Sequence, residues 1–184
     1  ATYTPTDDIT DATNVIIVDK TGVVDSASNA GVSTTSSSNY TIDTVEPTVT
    51  VTLADTALKV GDTSLVTFTF SEVVTGFAAA DVTVVNGSIS EPSSSDGGTT
   101  YTATYTPTDD ITDATNVITV DKTGVADSAS NAGAGSTSSA NYTIDTVEPT
   151  VTVVLTDTAL TVGETTTVTF TFSEVVTGFA AADV

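Results

Sequence analysis

The sequence repeats itself with a period of 102 residues, and this repeat limits the possible folds more than any other feature. Residues 1–82 align with residues 103–184 without a gap, and 70 of the 82 aligned positions are identical. A unit of this length is longer than a solenoid repeat and has the usual size of an independently folding β-sandwich. The chain is therefore predicted to contain tandem copies of one domain.

The boundaries between copies are marked by an extended, proline-containing segment. The octapeptide TIDTVEPT occurs at residues 41–48 and again at 143–150. The predicted units are the C-terminal part of one copy at 1–44, a complete repeat at 45–146, and the N-terminal part of the next copy at 147–184. Because the pattern is already under way at residue 1, we expect the chain to be a segment of a longer protein.

Apolar and polar residues alternate through most of the complete repeat, as they do in strands that bury one face. The clearest run is residues 66–70, where Val66, Phe68 and Phe70 alternate with threonine. About seven short strands are predicted, near 49–53, 58–60, 66–70, 82–84, 101–105, 117–120 and 142–144. A FAAAD turn at 77–81 is the single helical candidate. The predicted fold class is all-β, an immunoglobulin-like Greek-key β-sandwich in tandem copies.

The composition excludes most catalytic chemistry. The chain has no His, Cys or Arg, so a His-based triad, a thiol nucleophile and a conventional zinc site are all ruled out. Its net charge of −21 would repel nucleic acids and anionic membranes. We therefore predict a protein that is not an enzyme, binds no nucleic acid and does not insert directly into a membrane.

The acidic residues form clusters that recur from copy to copy, and they are candidate ligands for Ca²⁺, which takes six to eight oxygen atoms. The clusters of the complete repeat are Asp109, Asp110 and Asp113; Asp121, Asp127 and Asn131; and Asp145 and Glu148. Their counterparts in the preceding copy are Asp7, Asp8 and Asp11; Asp19, Asp25 and Asn29; and Asp43 and Glu46. The alternative is that these side chains are solvated and serve solubility and mutual repulsion.

Three stretches of the complete repeat carry a family resemblance: FSEVVTGF at 70–77, DKTGVADSASNAG at 121–133 and NYTID at 141–145. With them the chain resembles the bacterial immunoglobulin-like repeats in the extender regions of giant RTX-type surface adhesins. The resemblance implies a stalk of many copies, often stabilised by calcium, that holds a terminal binding domain away from the cell. It also implies an extracellular location, on the bacterial surface or in a secreted fibre, and calcium as the cofactor.

Two further acids, Glu72 and Asp81, are singled out by the same resemblance. They could form a second cation site, but we expect Glu72 to end its strand in solvent. Paired carboxylates also occur in glycosidases, which in addition need a cleft lined by sugar-stacking aromatics. Tyr101 and Tyr105 are predicted instead to be cross-strand partners or core edges.

Three functions remain open at this point. The first is the extender, with neighbouring copies of the repeat as its partners. The second is a subunit of a self-assembling filament or matrix, in which the partial copies 1–44 and 147–184 complete each other head to tail. The third is a glycan-binding module, which would show saturable sugar binding.

Overall fold

A computed structural model describes the whole chain, residues 1–184, and its regular structure consists almost entirely of short β-strands. The exceptions are two 3₁₀ turns, Ala79–Asp81 and Ala181–Asp183, each within a FAAAD motif. The first confirms the predicted helical turn. No helix is long and apolar enough to cross a membrane.

The strands are numbered in chain order. The preceding copy has β1 (Thr10–Asn14), β2 (Ile17–Asp19), β3 (Thr34–Ser36) and β4 (Tyr40–Asp43). The complete repeat has β5 (Val49–Leu53), β6 (Ala57–Lys59), β7 (Ser64–Phe70), β8 (Val74–Thr75), β9 (Val82–Thr83), β10 (Gly87–Ile89), β11 (Ser93–Ser94), β12 (Thr100–Pro107), β13 (Thr112–Asn116), β14 (Thr119–Asp121), β15 (Ala126–Asp127), β16 (Ser136–Ser138) and β17 (Tyr142–Asp145). The following copy has β18 (Val151–Leu155) and β19 (Val168–Phe172).

The complete repeat is built from one five-stranded sheet and several smaller ones. The larger sheet has the order β10-β12-β7-β5, with β11 paired to β12. The smaller sheets have the orders β13-β17-β6, β16-β14-β9 and β15-β8. All pairs are antiparallel except β6 and β17, which run parallel with Ile144 opposite Leu58. The predicted all-β, immunoglobulin-like class is confirmed.

The core lies between the sheets and follows the alternation of the sequence. In β7 the side chains of Val66, Phe68 and Phe70 are buried, whereas Leu65 and Thr69 point to the other face and are exposed. The ring of Phe77 packs edge-on against Phe68 and Phe70, with centroids 5.0 and 5.2 Å away. Such aromatic contacts add to the stabilisation from area burial.

The two tyrosines considered as sugar platforms belong to this core. Tyr105 is fully buried, and its hydroxyl donates to the backbone oxygens of Val85 and Asn86 at 2.8 and 3.0 Å. Tyr101 packs edge-on against Phe77 and is partly buried. Their prediction as core and cross-strand residues is confirmed.

The number of strands was underestimated. The complete repeat contains thirteen strands, β5 to β17, rather than about seven. Several, such as β13, β15 and β16, fall in stretches where no strand was predicted because they lack apolar alternation. Strand β13 instead pairs with β17 around a bulge between Asp113 and Asn116, where the buried Asn116 side chain donates to the backbone oxygens of Asp113 and Tyr142. Hydrogen bonds from polar side chains thus stabilise edge strands such as β13, which the pattern of apolar residues does not predict.

The partial copies keep the local pairing of the complete repeat. Strand β1 pairs with β4 as β13 does with β17, and β18 pairs with β19 as β5 does with β7. Each partial copy, however, lacks the opposing sheet. Many of its inward-facing side chains, such as Val18 and Val153, are consequently exposed, although Ile42 is buried.

We predict that Phe68→Ala lowers the free energy of unfolding of the complete repeat by about 3–5 kcal/mol, because it leaves a large cavity in a closed core. Urea unfolding of the dilute 184-residue chain, followed by tyrosine fluorescence, measures this change. The matched control is Phe170→Ala, at the same position of the following copy. It should move the transition by less than about 0.5 kcal/mol, and equal effects of the two substitutions would contradict this account of the core.

Candidate interdomain cation site

Three carboxylates meet where the preceding copy joins the complete repeat. Oxygens of Asp43, Glu72 and Asp127 all lie within 4.8 Å of one another. Asp43 ends β4 of the preceding copy, Glu72 follows β7, and Asp127 ends β15. The cluster therefore draws its side chains from both sides of the junction.

Asp127 is fixed in place by the loop that follows it. Its carboxylate accepts hydrogen bonds from the backbone N–H and from the side-chain amide of Asn131, both at 2.8 Å. Ser130, just before Asn131, has a left-handed backbone with φ 72°, which closes the turn. Asp127 is only 4% exposed, so a charged group is held in a largely dry position.

The same loop contacts the preceding copy. The side-chain amide of Asn131 donates to the backbone oxygen of Asp43 at 3.1 Å. The Asp43 carboxylate in turn accepts from the Thr10 hydroxyl at 3.1 Å. Asn131 thus holds the Asp127 carboxylate and the backbone of Asp43 next to each other, and it acts as a positioning residue.

The three carboxylates of the cluster repel each other, and no ion pair with a lysine offsets their charge. Burial raises the pKa of Glu72 above its ordinary value, and the charges of Asp127 and Asp43 raise it further. Burial would also raise the pKa of Asp127, but the hydrogen bonds from Asn131 outweigh burial and lower it. The one ion pair of the chain, between Lys59 and Asp62, involves none of these carboxylates.

This geometry fits a hard divalent cation. Two oxygens bound to one Ca²⁺ at about 2.4 Å lie at most about 4.8 Å apart, so three oxygens this close can share one ion. Backbone carbonyls and water would complete the coordination. Asp43, Glu72 and Asp127 are the residues that would hold the ion, and its charge would offset their repulsion.

The structure brings together only part of the predicted ligand set. Asp43, Asp127 and Asn131 meet as described, although Asp43 was predicted in a different cluster from Asp127 and Asn131. Glu72 joins them, partly buried rather than ending its strand in open solvent as we expected. Asp81 instead caps its 3₁₀ turn by accepting from the backbone N–H of Ala78 at 2.9 Å.

The other predicted ligands do not converge. Asp113 and Asp121 accept hydrogen bonds from the backbone N–H of the threonine two residues later, at 2.9 and 3.0 Å. Asp145 accepts from the Thr112 hydroxyl at 2.9 Å. The remaining predicted ligands outside the cluster are Asp109, Asp110, Glu148, Asp7, Asp8, Asp11, Asp19, Asp25, Asn29 and Glu46. Asp113 and Asp121 thus close turns, whereas Asp145 links β13 to β17.

The second junction, between the complete repeat and the following copy, has counterparts of two of the three carboxylates. Asp145 and Glu174, the counterparts of Asp43 and Glu72, line an open groove of about 390 Å³ together with Lys59 and Val60. The repeat period places the counterpart of Asp127 beyond residue 184.

The fold and the junction define an array of immunoglobulin-like sandwiches linked end to end. The family model described as "Bacterial Ig-like domain" matches the chain three times, at residues 1–42, 43–144 and 145–184. The chain belongs to this family. Its boundaries lie two residues before those predicted from the sequence. No curated protein and no solved structure matches the chain.

We predict that Glu72→Gln raises the melting temperature by a few degrees at neutral pH in EDTA. Because the folded state raises the pKa of Glu72, ionisation of this carboxylate opposes folding above that pKa. The gain should vanish below about pH 4, where Glu72 is protonated in both states. Calorimetry across this pH range tests the prediction, with the exposed counterpart Glu174→Gln as control. A lower melting temperature for Glu72→Gln at neutral pH would contradict it.

Proposed function

We propose that the chain is a non-enzymatic extender segment of a bacterial cell-surface adhesin, located outside the cell. Bacterial immunoglobulin-like domains are usually extracellular or surface-exposed, and their repetition suggests a structural role. The observation that carries the proposal is the carboxylate cluster of Asp43, Glu72 and Asp127, which spans two copies. The cluster suits a joint whose angle is fixed by a bound ion.

The joint has two parts with different chemistry. The hydrogen bond from Asn131 to the backbone of Asp43 links the copies directly. The three carboxylates repel each other until a cation binds, so calcium would restrain the joint more tightly than this hydrogen bond does alone. An extender of this kind is flexible inside a calcium-poor cell and becomes stiff once it is outside.

The charge of the complete repeat supports the same role. Residues 45–146 contain 13 acids and 2 lysines, a net charge of −11. Repulsion between such units favours an extended chain, and screening by salt weakens it. Exposed threonines and acids along the strand edges also discourage aggregation between near-identical neighbours.

Calcium in excess should raise the melting temperature of the complete repeat within the 184-residue chain by about 10 °C or more. Binding at a hundredfold excess over Kd adds about 2.7 kcal/mol, and each kcal/mol is worth about 4–8 °C for a domain of this size. Differential scanning calorimetry with EDTA, Mg²⁺ and Ca²⁺ measures the shift. Mg²⁺ should give a smaller shift because it dehydrates reluctantly.

The repeat supplies matched controls for this experiment. Asp127→Asn and Glu72→Gln should each abolish most of the calcium shift. Asp25→Asn and Glu174→Gln, the same substitutions at the corresponding positions of the neighbouring copies, should leave it intact in dilute solution. A calcium shift of equal size in all four variants would rule out the junction as the binding site.

Calcium should also narrow the range of angles between the copies. Since the chain has no cysteine, Ser36→Cys and Ser95→Cys provide two unique labelling sites, one in each copy. Electron–electron double resonance should show a narrower distance distribution with Ca²⁺ than with EDTA. The pair Ser95→Cys and Ser136→Cys, both within the complete repeat, should be unchanged. A distance distribution that is equally broad with Ca²⁺ and with EDTA would contradict the proposed calcium-dependent joint.

A further inference from the structure

Asn86 and Gly87 form a reactive pair of residues that the proposed function does not use. Asn86 is the only one of the seven asparagines that precedes a glycine. In such a pair the backbone nitrogen of the glycine can attack the side-chain amide carbon of the asparagine, because glycine has no side chain to hinder the approach. The reaction deamidates the asparagine, so its consequence depends on what the amide of Asn86 does in the fold.

The side chain of Asn86 links two sheets of the complete repeat. Its amide nitrogen donates to the carboxylate of Asp113 at 2.8 Å and to the side-chain oxygen of Asn116 at 2.9 Å. Both acceptors lie on β13, whereas Gly87 begins β10 of the larger sheet. Both hydrogens of the Asn86 amide are therefore used to hold the edge of one sheet to the edge of another.

The backbone at this turn is held as firmly as the side chain. The carbonyl of Asn86 accepts from the backbone N–H of Thr108 at 2.9 Å and from the hydroxyl of Tyr105 at 3.0 Å. The φ of Asn86 is 54°, in the left-handed region that asparagine tolerates better than most residues. A Cβ on Gly87 would lie 2.5 Å from the backbone oxygen of Thr106. The turn consequently has no room for a displaced backbone.

The folded state keeps the two reacting groups apart. Ring closure requires the side chain of Asn86 to turn back onto the nitrogen of Gly87, so the side chain must first leave both acceptors on β13. Strand β10 is an edge strand whose partner in the sheet order is β12. Local opening starts at weakly held edges of this kind. Detachment of β10 is therefore the event that makes the pair reactive.

We propose that Asn86 is a deamidation site whose reaction records, irreversibly, that the complete repeat has opened. In the opened state the nitrogen of Gly87 bonds to the side-chain carbon of Asn86 and the carbon–nitrogen bond of the side-chain amide breaks. Ammonia leaves with the proton of the Gly87 amide. Water then adds to one of the two carbonyls of the five-membered imide and opens the ring, which gives aspartate or isoaspartate. No oxidant or reductant takes part.

The deamidated product cannot form the same link between the sheets. A carboxylate at position 86 has no hydrogen to donate, and it would face the carboxylate of Asp113 and the side-chain oxygen of Asn116. Two hydrogen bonds are thus replaced by contacts between acceptors, one of them between like charges. The isoaspartate product also lengthens the backbone by one carbon beside the tightly packed Gly87. A repeat that stays open long enough to react therefore refolds in a weaker form.

This site is separate from the candidate cation site. The cluster of Asp43, Glu72 and Asp127 does not include Asn86 or either of its acceptors. The inference therefore stands whether or not that cluster binds calcium.

Mass spectrometry of the 184-residue chain tests the dependence on opening. The tryptic peptide 60–122 contains both Asn86 and Asn116, and Asn116 is an internal reference because it precedes a β-branched valine. In urea at neutral pH, Asn86 should deamidate about tenfold faster than Asn116 or more. In native buffer the rate at Asn86 should fall by at least about tenfold, in proportion to the rarity of opening. Equal rates at Asn86 with and without urea would overturn the proposal.

Asp113→Ala tests whether the link to β13 protects Asn86. Loss of this acceptor should speed deamidation of Asn86 in native buffer by about fivefold or more. Asp11→Ala, at the same position of the preceding copy, is the matched control and should leave the rate unchanged. In urea both variants should react as fast as the wild-type chain. Hydrogen exchange of the β7 amides verifies that the core stays closed, and an unchanged native rate in Asp113→Ala would refute the protective role of the link.

Asn86→Asp reproduces the aspartate product directly. It should lower the melting temperature of the complete repeat by several degrees at neutral pH. Asn86→Gly, which suits the left-handed backbone and adds no charge, should lower it less. If Asn86→Asp does not fold, wild-type chain that is partly deamidated in urea and returned to buffer gives the same comparison, because only its unmodified fraction should regain the native melting temperature. Full recovery by the deamidated fraction, or an unchanged melting temperature of Asn86→Asp, would show that the reaction leaves no record.

Discussion

Burial of one face of β7 is the interaction on which the rest of the structure depends. Val66, Phe68 and Phe70 are almost completely buried, and β7 is paired on both sides, to β5 and to β12. Buried apolar side chains of other strands, such as Leu58, Ile118 and Ile144, belong to the same core. The aromatic contacts of Phe77 and Tyr101 close the core at one end of this strand. Without this face, the acidic loops would have no fixed framework.

The carboxylate cluster depends on that framework in a direct way. Glu72 follows the last residue of β7 by two positions, and β15 is paired to β8 so that Asp127 lies opposite Val74. The hydrophobic core thus determines where two acids of the complete repeat lie, and the junction brings in Asp43. A site that holds repelling charges close together needs such a rigid support, because the charges alone would separate.

Much of the fold could be predicted from the sequence. The 102-residue repeat set the size of the domain, and strict alternation located β5, β7 and β12. The strands that were missed, such as β13, contain Thr, Asp and Asn in place of apolar residues, and their edges are satisfied by side-chain hydrogen bonds. Apolar and polar residues alternate in a strand that buries one face. A strand that buries little of either face, such as β13, shows no such alternation and is missed.

The candidate site could be predicted only in part. The acids were grouped by nearness in the sequence, yet Asp43 and Asp127 are 84 positions apart. Asp109 and Asp110 are adjacent in the chain and join no cluster. The sequence shows the period that relates the copies. It does not show that the loop with Asp127 and Asn131 packs against the end of the preceding copy. Glu72 was singled out only by its place in the family stretch at 70–77. Its position at the end of a predicted strand is otherwise ordinary for a solvent-exposed acid.

The parallel pairing of β6 with β17 has a mechanical consequence. These strands lie near the beginning and the end of the complete repeat, side by side and pointing the same way. When the two ends of the complete repeat are pulled apart, the two strands are drawn in opposite directions along their length. Their hydrogen bonds lie across the force and are loaded together, whereas an antiparallel pair pulled from one end would open one bond at a time. The topology therefore loads the β6–β17 pair in shear, the geometry in which a short strand pair resists most.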